Sequence, residues 1–455
     1  MRQSREDVVV VGGGPVGLVC ALLLENQGYR VRVYESRPDP RRSAALTFGR
    51  SISLTLTSRG WRALRSAGVE DHVRRLAFPL RGRTIHLEGG RTQFHAYGPN
   101  GESIESVMRD EFVRVLVDAA ERRTGIELLF EHRCLGLTPD LERIRFTSAA
   151  QTETTISVER VIAADGINSA IRRSFIDTEG FDQSTRYSRH FYRELSLVGP
   201  NPDEWPLDPG SLHLWPREDV LLVAFPNQQR RFTGTLFMPM DGPRSFHAVH
   251  RPALLQQLFE NTFSDLVELT PRRNAEFFGG APWALGSTTC SPWTFREKIA
   301  LVGDAAHAMV PFLGQGLNAG LEDVTTLTNT LEELDWNWAE ALHAYPDRRK
   351  PDCDAVTALA EEHYRELAQE SRSPEFVLKK RIEARLIELF PDRFSTPYAV
   401  ISFTERPYRE VHEVAKLQER IVSRLMELPD VADLLGRSSF EEELRAMATP
   451  LLWPR

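Results

Sequence analysis

The segment Val8 to Leu24, VVVVGGGPVGLVCALLL, runs for 17 residues without a charge. Taken as one helix it would be a membrane span or the core of an export signal. It falls short of the roughly 20 apolar residues that a span requires. Three successive glycines and Pro15 interrupt it, and the preceding MRQSRED carries Glu6 and Asp7 where a signal would be basic. The segment divides instead into a buried β run (Val8 to Val11), a turn fitting GxGxxG (Gly12 to Gly17) and a helix-forming stretch (Leu18 to Asn26). In such a turn Gly12 permits the tight bend. Gly14, with Pro15 beside it, lets a pyrophosphate approach the main chain, and Gly17 lets helix and strand pack closely. The helix start then offers free N–H groups and the positive end of its dipole. Gly28 is placed to cap the helix, and Arg30 to Glu35 alternates as a second strand. Glu35 stands 18 residues beyond Gly17, where a carboxylate can accept hydrogen bonds from both ribose hydroxyls of an adenosine. Strand, turn, helix and acid together predict a dinucleotide site, and leave FAD and NAD both open.

Composition narrows the class. A chain of 455 residues corresponds to about three lobes at roughly 150 residues each. The net charge of −8 argues against a nucleic-acid binder, which shows a basic excess. The four cysteines, Cys20, Cys134, Cys290 and Cys353, are far apart and form no CxxC or Cys/His cluster. Disulfide-rich and zinc-finger classes are excluded, no metal is expected, and a reducing compartment, the cytoplasm, is.

Two later motifs discriminate between the dinucleotides. In RVIAADGINSAIRR, Arg160 to Arg173, a β run ends in Asp165-Gly166, with Asn168 or Ser169 as a helix cap. In IALVGDAAHAMVPFLGQGLNAGLED, Ile299 to Asp323, a strand closes at Gly303-Asp304, and Asp304 can bond a ribityl or ribose hydroxyl. Pro311 to Gly316 is a glycine-rich loop. Leu317 then opens a helix whose start, with Gly316 and Asn318, can face a flavin's pyrimidine edge, where negative charge develops on reduction. These motifs, in this order on one chain, point to a flavin.

On those residues the sequence resembles the FAD-dependent aromatic monooxygenases of the para-hydroxybenzoate hydroxylase type, over about residues 5 to 340. The resemblance implies that the GGGPVG turn with Glu35 binds the ADP part of FAD and that Gly303-Asp304 holds the ribityl chain. It implies that Asp165-Gly166, with Arg172, serves both FAD and a transient NADPH, and that Arg109 in SVMRDEF meets FAD phosphate. The sequence is similar, more closely, to the kynurenine 3-monooxygenases. FGRSISLTLTSRG (Phe48 to Gly60), LRGRTIHL (Leu80 to Leu87), AYG (Ala96 to Gly98), FYREL (Phe191 to Leu195), LHLWPRED (Leu212 to Asp219), FTGTLFMP (Phe232 to Pro239), EEHYREL (Glu361 to Leu367) and PYAVISFTERPY (Pro397 to Tyr408) carry this resemblance across nearly the whole chain. It implies that Arg83, Tyr97 and Tyr398 hold the substrate's amino-acid carboxylate, for which a planar guanidinium is well shaped. Phe237 and Phe312 would line the aryl ring. The implied reaction is 3-hydroxylation of L-kynurenine by O2 through a flavin C4a-hydroperoxide, with NADPH as reductant. No side chain need act as a catalytic acid or nucleophile, because the cofactor carries the chemistry. Pro311, Phe312 and Gly314 would instead support the flavin's reactive face.

Two positions depart from the family pattern. His363 replaces an asparagine, and Leu313 replaces a histidine common in the loop. His363 and Glu366 share one helical face and could receive the substrate's ammonium, with Glu366 carrying the charge. The change could also mark a ring-substituted kynurenine as substrate; the alternative function is a sister flavin hydroxylase of another aryl amino acid or an anthranilate-like substrate in secondary metabolism. The expected architecture is α/β. A doubly wound Rossmann-like FAD domain comprises 1–78, 99–185 and 284–340, an inserted β-sheet substrate domain 79–98 and 186–283, and a helical cap 341–455. Expected partners are an aromatic amino acid, O2 and NADPH, without nucleic acid and with a homodimer left open. The tail ELRAMATPLLWPR is too short and charged for the hydrophobic anchor of eukaryotic relatives, so a soluble protein is expected.

Overall fold

The computed structural model describes residues 7–42, 53–98, 101–270, 276–366, 374–391 and 393–429, with the single positions 431, 435 and 442. The first five residues of FGRSISLTLTSRG and the tail ELRAMATPLLWPR lie outside the described residues.

The valine run becomes the strand Asp7–Val11 at the middle of a six-stranded sheet. Arg30–Tyr34 and Ile126–Leu129 pair successively on one side of it, and Val161–Ala163 and Ile299–Leu301 on the other, all in parallel. Parallel strands covered on both faces read as near-continuous apolar runs, as VVVV does. Thr294–Phe295 adds a short antiparallel edge. The order reverses at Asp7–Val11, and Val11 is level with both Tyr34 and Ala163. Chain ends at Gly12, Glu35 and Ala164 therefore emerge together, at the crevice where open α/β sheets take ligands. The helices Pro15–Asn26, Arg109–Glu121 and Gly316–Glu333 pack against this core. An antiparallel sheet of His132–Leu137, Arg143–Ser148 and Glu153–Ser157 joins it where Tyr34 stacks on Phe146 at 4.1 Å. The first helix starts at Pro15, three residues before the expected Leu18, because proline's fixed φ and missing N–H suit a helix's first position. The later helix likewise starts at Gly316 rather than Leu317.

The second lobe is a seven-stranded sheet in the order Trp283–Ser291, Asp182–Leu197, Phe232–Pro239, Val220–Pro226, Ser211–Arg217, Gly82–His86, Thr92–Ala96. Only Ser211–Arg217 and Gly82–His86 run parallel. The ladder from Asp182↔Ser291 to Tyr187↔Gly286 carries this sheet past the expected limits of 186 and 283. Continuous pairing satisfies main-chain groups that a break at those limits would leave bare. Phe78–Leu80, by contrast, pairs with Ile104–Met108 in a separate small sheet, and the chain joins the seven-stranded sheet at Gly82.

After the sheet region come the helices Trp338–Arg365, Pro374–Leu389, Pro397–Phe403 and Tyr408–Met426. Asn337 and Thr396 cap two of them with side-chain oxygens. Among the described residues no helix is long and apolar enough to cross a membrane.

Candidate active site

The cofactor crevice is built where local sequence demands it. Gly12 has φ 108°, and a Cβ there would overlap the Ala164 carbonyl oxygen; at Gly17 a Cβ would overlap the Gly12 carbonyl oxygen. Gly14 faces open space, so main chain is available to a ligand at that point. Glu35 accepts from Gly13 N–H at 2.7 Å, and from the Arg37 N–H and guanidinium at 2.8 and 2.9 Å. Burial pushes its carboxyl pKa up, but Arg37 outweighs this and holds it below the usual value. Gly303, at φ 58°, turns the chain so that Asp304 stands exposed at the start of Asp304–His307. A Cβ at Gly303 would be 3.4 Å from Val16, and one at Gly316 would be 3.9 Å from Asp304 Oδ1. The turns at Gly12–Gly17, Gly303–Asp304 and Gly314–Gly316 therefore converge. Arg109 feels the charges of Arg37, Asp304 and Glu35. Burial lowers its pKa, and its guanidinium makes no hydrogen bond to another described residue. No side chain among them caps Pro15–Asn26 or Gly316–Glu333, so both helix starts keep free N–H donors. Open main chain, uncapped helix starts, an exposed acid and an unspent, half-buried cation fit a dinucleotide of the FAD kind.

The second half of the site lies where the substrate sheet meets the C-terminal helices. Tyr97 stacks on Tyr398 with centroids 5.1 Å apart. Both tyrosines feel the charge of Arg83. The Tyr97 hydroxyl is buried and makes no well-directed hydrogen bond among the described residues, the Tyr398 hydroxyl being the polar neighbour that registers in its pKa. Burial lifts its pKa far above that of an ordinary phenol, so it is a donor throughout the working pH range. His363 lies 6.5 Å from the Tyr398 ring, and burial pushes its pKa down. Beside this polar end, Phe237 packs on Phe312 at 5.0 Å, and Phe312 stacks on Tyr364 at 4.8 Å. Leu313, Leu221 and Val310 continue the apolar wall.

Comparison with known proteins sets this geometry in context. The FAD binding domain family matches residues 5–360. A kynurenine 3-monooxygenase of Christiangramia forsetii is 34% identical over 97% of this chain and 98% of its own. One from Legionella pneumophila strain Corby is 31% identical over 94% and 95%. The chain belongs to the kynurenine 3-monooxygenase family. Among solved structures, 2-methyl-3-hydroxypyridine-5-carboxylic acid oxygenase superposes with a TM-score of 0.67 at 22% identity, over 83% of this chain and 96% of that one. Pseudomonas aeruginosa PqsL, in complex with 2-aminobenzoylacetate, gives 0.64 at 20%, over 81% and 98%. These two likenesses establish the fold. This member of the kynurenine 3-monooxygenase family is thus an FAD-dependent monooxygenase.

Four of the expected site side chains are engaged by other parts of the protein. The Asn318 side chain takes Thr57 N–H at 3.0 Å and donates to the carbonyls of Thr55 at 2.9 Å and Gly314 at 3.0 Å. Its amide locks the loop, leaving only its main-chain N–H for a cofactor. Ser169 caps Ala170–Arg173 through its bond from Arg172 N–H at 2.9 Å, and Asp165 Oδ2 accepts from Ala170 N–H at 2.7 Å; Asp165 Oδ1 is buried without a well-directed hydrogen bond among the described residues. Glu366 is not free to receive an ammonium, because Lys379 and Lys380 stand 3.4 and 3.3 Å from its carboxylate. Despite burial, His363 and these lysines bring its pKa down to about 2. Arg172 spends its guanidinium on the Ala305 carbonyl at 2.6 Å, on Gln183 at 3.2 Å and on the Ile167 carbonyl. Sequence reasoning missed Tyr364, whose hydroxyl meets Ser188 at 2.6 Å and His190 at 2.5 Å. It also missed Asp323, which accepts Gly303 N–H at 2.9 Å and pairs with His307 and Arg349. The adjacent acids Glu322-Asp323 in an otherwise apolar helical stretch were the available signal.

Proposed function

We propose that this monooxygenase hydroxylates L-kynurenine, or a ring-substituted kynurenine, at the ring carbon ortho to the aniline nitrogen. NADPH supplies two electrons and O2 supplies the inserted oxygen atom, the other leaving as water. The observation that carries this reading is the place of Tyr398, which stacks on Tyr97 within the influence of Arg83 and packs on the same cluster as Phe237, Phe312 and Tyr364. Such an arrangement suits a molecule with a carboxylate at one end and a planar ring at the other.

Arg83 holds the carboxylate as a charge-assisted pair, and Tyr97 and Tyr398 add hydroxyl donors. Phe237 and Phe312 fix the ring plane. Glu35 would hold the adenosine ribose of FAD, Arg109 its phosphates and Asp304 its ribityl chain. The free N–H groups at Gly316 and Leu317 would serve the flavin ring. FAD, when bound, supplies the oxygen-activating chemistry. The chain's own task is to orient the ring and exclude water, and Leu221, Leu285, Val310 and Leu313 make that wall apolar. The four cysteines are free, in keeping with a cytoplasmic enzyme.

The test is oxidation of NADPH by the holoenzyme with L-kynurenine under 18O2, with the product read by mass spectrometry. One 18O atom in 3-hydroxykynurenine is the expected result. Stimulated NADPH oxidation that yields only hydrogen peroxide overturns the substrate assignment.

A further inference from the structure

Arg59 sits in the helix Ser58–Ser66, which packs on Gly316–Glu333 in the FAD-binding part. Its side chain is wholly buried. Nη1 donates to the carbonyls of Ile401 at 2.9 Å and Thr404 at 2.7 Å, and Nη2 donates to the carbonyl of Arg406. The same guanidinium lies 4.1 Å over the Tyr408 ring and pairs with Glu322 at 3.2 Å. The carbonyls belong to the end of the helix Pro397–Phe403 and the turn into Tyr408–Met426. A helix end leaves its last carbonyls without donors, and a cation there also meets the negative end of the dipole. The Ser58 hydroxyl donates to the Thr404 carbonyl as well, at 3.1 Å. Tyr398, stacked on Tyr97, is on that same short helix.

Two links run from this clamp toward the cofactor crevice. Glu322 meets Arg349 at 3.0 Å, Arg349 meets Asp323 at 2.9 Å, and Asp323 accepts the N–H of Gly303. The Tyr408 hydroxyl donates to Gln315 Oε1 at 2.9 Å, in the residue just before the Gly316–Glu333 helix. One buried guanidinium therefore ties the segment carrying Tyr398 to both turns beside the crevice.

We propose that Arg59 is a positioning residue for substrate: it seats the Pro397–Phe403 helix so that Tyr398 closes on the carboxylate end in register with the crevice. This rests on the reading of Tyr398 as a substrate residue. A lysine would keep the charge for Glu322, but lacks the planar fork that serves three carbonyls at once.

The experiment compares full-length holoenzyme with Arg59→Lys, Tyr398→Phe and the double variant. FAD content, KM and kcat for L-kynurenine, and hydrogen exchange across residues 397–407 without substrate are measured. Arg59→Lys is expected to keep its FAD and raise KM about tenfold, with kcat changed less than about threefold. Exchange across 397–407 is expected to accelerate. Adding Tyr398→Phe to it then raises KM by no more than about twofold, since coupled residues are not additive. Unchanged KM and exchange, or a loss of activity that tracks lost FAD, overturns the proposal. Should Arg59→Lys fail to accumulate, Ser58→Ala, which loses only the bond to the Thr404 carbonyl, must show the same signature at about twofold, and no change there overturns it. If the wild-type enzyme does not turn over L-kynurenine, the substrate assignment fails separately, and the exchange across 397–407 still decides the clamp.

Discussion

Tyr97→Phe should move stability and substrate binding in opposite directions. The residue is 7% exposed, and its hydroxyl is buried beside that of Tyr398 with no well-directed hydrogen bond among the described residues. An unsatisfied buried polar group costs about 1 to 3 kcal/mol. Removing that oxygen leaves the ring stacked on Tyr398 and opens only a small void, so the free holoenzyme should gain about 1 kcal/mol. With substrate present the same hydroxyl donates to a carboxylate, a bond worth about 1.5 to 3 kcal/mol. The dissociation constant for L-kynurenine should therefore rise roughly 10- to 150-fold. Denaturant midpoints of the holoenzyme give the first quantity, and titration of the flavin absorbance with L-kynurenine gives the second. FAD content should not change. A variant that is destabilised, or that binds L-kynurenine as tightly as wild type, refutes the reasoning, because either result means that the hydroxyl is not held in reserve for substrate.

Arg83→Ala should weaken L-kynurenine binding by roughly 2 to 5 kcal/mol, the cost of truncating one member of a buried charge pair, while flavin absorbance shows FAD retained. Gly14→Val should lose FAD with little change in the thermal stability of the apoprotein, because a Cβ at Gly14 meets nothing within 4 Å. Gly12→Ala should instead destabilise the chain itself, given φ 108° and the Ala164 carbonyl in the way. Stability should also fall on acidification through the substrate lobe. His86 is buried against Trp215 and bonded to His213 at 2.9 Å, and burial followed by the His213 charge lowers its pKa to about 4. The unfolded chain takes up that proton near pH 6.5 and the folded one does not. Stability is therefore full above pH 6.5 and declines toward pH 4, by up to about 3 kcal/mol from this group. His86→Gln should flatten that slope in denaturant titrations between pH 7 and 4.5, and an unchanged slope would remove His86 as its source.

What was legible in the sequence was what is local. The valine run, the turn and Glu35 lie within one βαβ unit, so spacing alone fixes their relation, and Gly12 and Gly17 stand where backbone crowding requires them. Arg83, Tyr97 and Tyr398 come from opposite ends of the chain, and no periodicity brings them together; only the family resemblance singled them out. The roles that changed are those of side chains choosing among remote partners. Asn318 has an amide that could serve a flavin, yet Thr55 and Thr57, some 260 positions earlier, take it. Glu366 has a charge that could serve an ammonium, yet two lysines on the next helix answer it. Sequence gives a side chain's capacity, whereas packing decides who uses it.

The buried chain of Arg59, Glu322, Arg349 and Asp323 shows why that choice is made. Ion pairs in an interior are weak sources of stability, since desolvation consumes most of the Coulomb gain and apolar residues of equal volume often do as well. Their geometry, however, is directional where apolar contact is not. Asp323 must point one oxygen at Gly303 N–H to hold a turn at φ 58°, and Arg59 must aim its donors at carbonyls on a helix more than 300 positions away. Leucines in those places could fill the volume but could not specify either orientation. The alternating charges are best understood as fixing the distance between the cofactor turns and the helix that carries Tyr398. A hydroxylase needs that distance held, because oxygen must reach one ring carbon and not its neighbour.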